Sequence, residues 1–167
     1  EALAYTRWLD SALRQSDHTP VELRAFLENG GRVTLPSEAE WEKAARGTEG
    51  RIFPWRRGPP PEGINFNGGE IRAVNAFNCS ECAWGLSDMA GNVWEMTASP
   101  MQPYPYSEAD DIDAREGEAL WVMRGGSFAD GLGNIRTAVR GGVDPSVRNH
   151  AIGFRLVISA RPIVFGQ

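Results

Sequence analysis

The sequence predicts a single α+β domain with a few short helices and strands and long ordered loops, and three observations predict it. Helical spacing of apolar residues is confined to the first 47 positions. Beyond them Gly (19), Pro (11) and six Trp imply short elements joined by loops pinned on aromatic anchors. Near the C-terminal end, Val122-Met123-Arg124-Gly125-Gly126-Ser127-Phe128 and Gly153-Phe154-Arg155 frame a filling, Ala129 to Ala151, that has neither helical nor strand period. Loops of that kind usually carry a binding or reaction surface on a fixed scaffold.

Taken in order, Leu3, Tyr5, Trp8, Leu9, Ala12 and Leu13 have the spacing of a helix with one buried face. Thr19-Pro20 reads as the start of a second helix over Val21 to Leu27, ended by Gly30-Gly31. Arg32 to Leu35 should be extended, because Pro36 disfavours the helical region at Leu35. Ser37 and Glu40 form a capping box for a third helix that carries Trp41, Ala44 and Ala45 inward and stops at Gly47. No period survives from Gly50 to Cys82, and Pro100 to Glu118 reads as an acidic loop. Ala119 to Met123 and Phe154 to Ile158 are the two clearest strands and are expected to pair at the base of the filling. Trp41, Trp84, Trp94 and Trp121 are the expected apolar anchors, and Arg136, Arg140 and Arg155 the expected forks that hold loops in register. The tail after Ala160 should fray.

The 167 residues fit one domain, taken as 1–160 with a tail at 161–167. Hydrophobic residues at 41% and charged residues at 23% are those of a globular chain. A net charge of −5 argues against nucleic acid as a partner, and no apolar run of about 18 residues reads as a membrane span. The sequence opens inside a helical pattern without Met, as a piece of a longer protein would. Cys79 and Cys82 are a lone Cys-x-x-Cys with only His18 and His150 to complete a zinc site. They read as a loop pair, either reduced or locally disulfide-bonded.

Four segments then fall in order: Leu35-Pro36-Ser37-Glu38-Ala39-Glu40-Trp41 through Gly47; Gly85-Leu86-Ser87-Asp88-Met89-Ala90-Gly91-Asn92-Val93-Trp94-Glu95; Arg124-Gly125-Gly126-Ser127-Phe128; and Gly153-Phe154-Arg155. Together they resemble the formylglycine-generating-enzyme-like, or sulfatase-modifying factor, domain family, over Ala4 to Ser159. The resemblance implies a C-type-lectin-like fold whose usual N-terminal strands are missing from this sequence. It also implies a calcium site formed by Asp88, Gly91, Val93 and Glu95, a mixture of carboxylate and carbonyl oxygens that suits the ion. A second family site would begin at Asn65-Phe66, with poorly matched partners downstream.

The family's oxidase binds copper through two cysteines just after the Gly-Gly-Ser-aromatic motif, and Cu(I) needs such soft thiolates. Here Ala129 to Ile135 contains no Cys, His or Met, so no redox metal and no catalytic residue is expected. Ser127 has no neighbouring His in sequence, and a Ser–His–Asp site through His150 has no spacing to support it.

A subset of the family consists of variable proteins of diversity-generating retroelements, which mutate adenines in the codons of displayed residues. The filling resembles theirs, with Arg136, Ala138, Arg140, Pro145, Arg148 and Ile152 at fixed places. The resemblance makes Ala129, Asp130, Gly131, Gly133, Asn134, Val139, Gly141, Val143, Asp144, Val147, Asn149, His150 and Ala151 the ligand-binding positions. The expected partner is a protein or other macromolecule bound without catalysis. The alternatives are an oxidoreductase of the family's type and a non-catalytic accessory module.

Overall fold

A computed structural model describes residues 1–105 and 120–160. The chain opens with α1 (Ala2–Gln15) and α2 (Val21–Glu28), then β1 (Arg32–Thr34) and α3 (Glu38–Arg46). After a long irregular stretch and one 3-10 turn (Ala83–Gly85) come β2 (Trp94–Pro100), β3 (Trp121–Arg124), β4 (Arg140–Val143), β5 (Ile152–Phe154) and β6 (Val157–Ser159). The four-stranded sheet has the order β4-β3-β2-β5, and β1 pairs with β6 in a separate two-stranded sheet. The α+β class and the three helices agree with the sequence, and so does the capping box: Ser37 Oγ accepts from Glu40 N while the Glu40 carboxylate accepts from Ser37 N. The acidic segment at 106–119 and the tail at 161–167 lie outside the described residues.

The two strands expected to pair at the base of the filling do not pair with each other. β2 lies between them, antiparallel to β3 (Glu95 opposite Arg124) and parallel to β5 (Glu95 opposite Gly153). The strand expected at 154–158 is broken at Arg155-Leu156, so that β5 joins one sheet and β6 the other, where Val33 faces Ile158. β2 escaped the sequence because its alternation is inverted. Before the terminal Pro100, the positions it buries are Glu95, Thr97 and Ser99, all polar, whereas Trp94 and Met96 are half-buried. Those polar groups are tolerated inside because each is bonded. Thr97 Oγ1 donates to Val122 O at 3.0 Å, Ser99 Oγ accepts from Glu38 N at 2.9 Å, and Glu95 accepts from Trp41 Nε1 at 2.6 Å.

The aromatic anchors also differ in part. Trp41 and Trp55 are 1% exposed, Trp94 and Trp121 are half-buried, but Trp84 is 65% exposed and Trp8 on α1 is 60% exposed. Trp84 sits at φ +60° in the 3-10 turn. The core under the frame is Trp55, Cys79, Cys82, Ala90 and Ile135, with Phe53, Ile64, Phe66 and Phe77 packed on it. Cys79 and Cys82 are joined in a disulfide within this cluster. A second cluster holds Trp41, Ala45 and Met89.

Candidate functional site

The frame is held by buried arginines. Arg124 is fully buried, and its guanidinium donates to Glu38 at 3.2 Å, Glu42 at 2.5 Å and the Thr137 carbonyl at 2.8 Å. Arg140 forks onto both oxygens of Glu38 at 2.6 and 2.7 Å. α3 is thus tied to the frame before the filling and to the middle of the filling by planar, multi-donor contacts that lysine would not reproduce. Gly126 lies at φ +71°, and a Cβ there would stand 2.7 Å from Ile135 Cγ2. That close approach lets Ile135 reach the disulfide cluster.

At the head of the filling Asp130 organises a compact turn. Its Oδ2 accepts from Ser127 N (2.9 Å), Ser127 Oγ (2.6 Å) and Trp94 Nε1 (2.9 Å), while Oδ1 accepts from Asn134 Nδ2 (2.9 Å). Burial alone would push its carboxyl up, but the hydrogen bonds of Ser127, Asn134 and Trp94 outweigh burial and hold it below the usual carboxylate range. The backbone of the turn is stitched to the earlier half of the chain: Asn67 N donates to Asp130 O at 2.8 Å and Gly68 N to Phe128 O at 2.8 Å. Further on, Thr137 Oγ1 donates to the carbonyls of Arg51 (2.7 Å) and Ile52 (3.0 Å). His150, near the far end, stacks on Phe128, ring centroids 5.6 Å apart, so the two ends of the filling meet.

The thirteen sequence-predicted positions therefore separate. Ala129, Gly131, Gly133, Asn134, Asp144, Val147, Asn149 and His150 are exposed and lie on the two arms of the filling. Asp130, Val139, Gly141 and Ala151 are half-buried, and Val143 is in the core at 6% exposure. Residues 140–143 are not the periodless loop the sequence suggested but strand β4, paired to β3 with Gly141 opposite Met123. A Cβ on Gly141 would meet Met123 Cε at 2.7 Å. The structural role of Asp130 was also missed, although Ser127-x-x-Asp130 has the spacing by which a hydroxyl residue and a carboxylate bond within a tight turn. Ser127 is buried and bonded to Asp130, and nothing brings His150 to its hydroxyl in a hydrogen bond.

The four residues expected to hold calcium are close in the chain, and the carboxylate of Glu95 among them is already engaged by protein donors. Glu95 is 5% exposed, and its oxygens already accept from Arg155 Nε at 2.5 Å, Arg155 Nη2 at 2.6 Å and Trp41 Nε1 at 2.6 Å. Asp88 accepts from Asn75 N at 3.2 Å and adds its charge to that of Glu95 at Arg155. Burial works against the Arg155 cation, but Glu95 and Asp88 together raise its pKa above the ordinary guanidinium value. The positive charge between these carboxylates is thus supplied by the chain. In this arrangement a cation at these residues would have to compete with Arg155 for Glu95. Asn65, where a second family site would begin, donates from its amide to Glu70 O and Asn92 Oδ1, both at 3.1 Å. Among the described residues no group of three or more His, Cys, Asp or Glu is placed to hold a metal ion.

Comparison with known proteins identifies the family and the fold. The sulfatase-modifying factor enzyme 1-like domain family matches residues 1–160. The mouse inactive C-alpha-formylglycine-generating enzyme 2 is 36% identical over 145 residues, covering 75% of this chain and 43% of that protein. The hercynine oxygenase of Mycolicibacterium smegmatis is 34% identical over 151 residues, covering 81% of this chain and 35% of that protein. The chain therefore spans less than half the length of these relatives. Among solved structures, Treponema denticola variable protein 1 superposes with a TM-score of 0.60 at 27% identity, covering 75% of this chain and 47% of the other. PvdO from Pseudomonas aeruginosa superposes with a TM-score of 0.66 at 25% identity, covering 95% and 58%. The fold is the small α+β, C-type-lectin-like one of these neighbours. With its capped α3, its Gly-Asn-Val-Trp-Glu motif leading into β2 and its buried Arg-Gly-Gly-Ser frame, the chain belongs to the sulfatase-modifying factor enzyme 1-like family.

Proposed function

We propose that this chain is a non-catalytic ligand-binding domain that displays the two arms of the filling, 129–134 and 144–150, to a macromolecular partner, in the manner of a retroelement-diversified variable protein. The carrying observation is the division of the segment: Arg124, Ser127, Phe128, Ile135 and Thr137 are buried, while eight of the thirteen candidate positions face solvent. A surface that varies must leave the fold undisturbed, and exposed side chains come nearest to that demand, those of Asn134 and His150 with one contact each, to Asp130 and Phe128. Similarity to Treponema denticola variable protein 1 supports the same reading.

The names of the catalytic relatives point to oxidation, but the segment where the family's oxidase keeps its thiols is differently furnished here. Asp130 is tied into the turn, Ile135 is 0% exposed, and both cysteines of the chain are joined to each other in the cluster beneath. A soft copper ion would find no thiolate at the surface.

The test is a library of this protein diversified at Ala129, Gly131, Gly133, Asn134, Asp144, Val147, Asn149 and His150, panned against hen lysozyme as an arbitrary protein target. Binders with melting temperatures within about 2 °C of the parent are expected, since surface substitutions usually stay within ~0.5 kcal/mol. A library that loses the folded state at most of these positions would refute the reading. For the diversification itself, the neighbouring DNA should hold a reverse transcriptase and a near-copy of codons 122–155 that differs at adenines.

A further inference from the structure

We infer that the Cys79–Cys82 disulfide is a redox clasp for the first half of the filling: a dithiol reductant opens it and loosens residues 129–138, while the sheet stays folded. Its meaning for binding rests on the display reading; the clasp itself does not. Three routes join the bond to the filling. Ile135, 0% exposed, packs in the same cluster as Cys79 and Cys82. The Arg51 guanidinium donates to the Glu81 carbonyl, inside the disulfide loop, at 3.0 Å, and the Arg51 carbonyl accepts from Thr137 Oγ1 at 2.7 Å. Ala83 N, just past the loop, donates to the Pro54 carbonyl at 2.9 Å, two residues from the Ile52 carbonyl that accepts from Thr137 N at 2.9 Å.

α3 and the sheet have ties of their own. Trp41, Ala45 and Met89 form a separate cluster, and Thr97 bonds Val122 across β2 and β3. Unbonded thiols need more room than a bonded pair, and a close-packed cluster around Trp55 and Ile135 has none to spare. Opening the bond therefore acts on the filling first. A reductant can reach it: Ser80 and Glu81 between the cysteines are exposed, and Cys82, at 6%, is less covered than Cys79, at 1%. One thiolate of the dithiol attacks Cys82 Sγ, the Cys79–Cys82 bond breaks, and the second thiolate releases Cys82 from the mixed disulfide. Two electrons pass to the chain, the two cysteines take up the two protons of the dithiol, and the reductant leaves as its own cyclic disulfide.

Amide hydrogen exchange, read by NMR before and after treatment with about 10 mM dithiothreitol near pH 8, tests this. The chain has two cysteines, so the reductant has no other bond to act on, and a mass gain of two hydrogens verifies the reduction. Exchange at the Thr137 and Ala83 amides should quicken by about tenfold or more, while amides of β2 and β3 keep their protection. A bond that survives the dithiothreitol, Thr137 and Ala83 amides no faster in the reduced protein, or equal loss of protection in β2 and β3 would each overturn the clasp. A panned lysozyme binder, reduced and then freed of dithiothreitol without air, should bind about tenfold more weakly than its oxidised form. Unchanged affinity with a loosened Thr137 would overturn the tie to binding and leave the display reading standing. The exchange result judges the clasp whether or not any binder is found.

Discussion

Replacing Asp130 by Asn tests whether a position that looks variable is in fact a structural tie. The carboxylate accepts four hydrogen bonds, three on Oδ2 and one on Oδ1. An amide keeps one acceptor oxygen and turns two donors toward either Ser127 and Trp94 or Asn134, so at least one bond becomes a donor–donor contact. Bonds to a charged acceptor are each worth roughly 1.5–3 kcal/mol, and their losses are not additive. A net cost of about 2–3 kcal/mol follows, since Asn134 is exposed and water replaces its share. For a chain of this size that is a fall in Tm of roughly 4–12 °C. The pH dependence carries a sign. The folded carboxyl lies below its ordinary value, so its stabilisation is full above the unfolded pKa near 3.9 and is lost as pH falls through the depressed folded value. Thermal melts of the parent and the variant from pH 7 down to pH 3 should therefore converge at the acid end. A variant as stable as the parent at pH 7, or a gap that does not narrow in acid, would refute the reasoning.

Three further outcomes follow from the same contacts. Gly141→Asn should cost about 1–3 kcal/mol by crowding Met123, whereas Gly131→Asn, with nothing within 4 Å of its Cβ, should cost less than ~0.5 kcal/mol in urea titration; equal losses would contradict the division of the filling. Arg155→Met should destabilise by roughly 3–5 kcal/mol because Glu95 is left charged and buried, and adding Glu95→Gln to it should recover part of the loss; a double variant no better than the single would be the contrary result in a denaturant series. Calcium at about 5 mM should raise the melting temperature of the parent by less than ~1 °C relative to chelator, and a rise of several degrees would show that the ion displaces Arg155 from Glu95.

What the sequence discloses depends on whether a residue's role is local. The α3 start was readable because Ser37 and Glu40 bond within four residues. The arginine forks were readable in kind, since guanidinium seeks carboxylates, but not in partner: Arg140 meets Glu38, 102 positions away. β2 was hidden because its inward face is Glu95, Thr97 and Ser99, whose burial makes sense only once Trp41, Val122 and Glu38 arrive from other segments. The same holds for Gly141 and Val143. Small residues suit a turn, and only the pairing with Met123 and Trp121 makes them a strand. In the candidate surface, Ala129, Gly131 to Asn134 and Asp144 to His150 are exposed, while Asp130 is half-buried, because its donors include Trp94 from β2.

The stitching of the filling to residues 51–68 has a kinetic meaning. Asn67 and Gly68 hold its first turn and Ile52 holds Thr137, so the segment 126–138 completes its contacts only once that earlier stretch is in place. Closing such long loops is slow and comes late. Exposed substitutions on the arms then act on a part formed after the rate-limiting step, and they should leave refolding rates alone while any lost stability appears as faster unfolding. Differently decorated versions of this chain would share one route to the folded state.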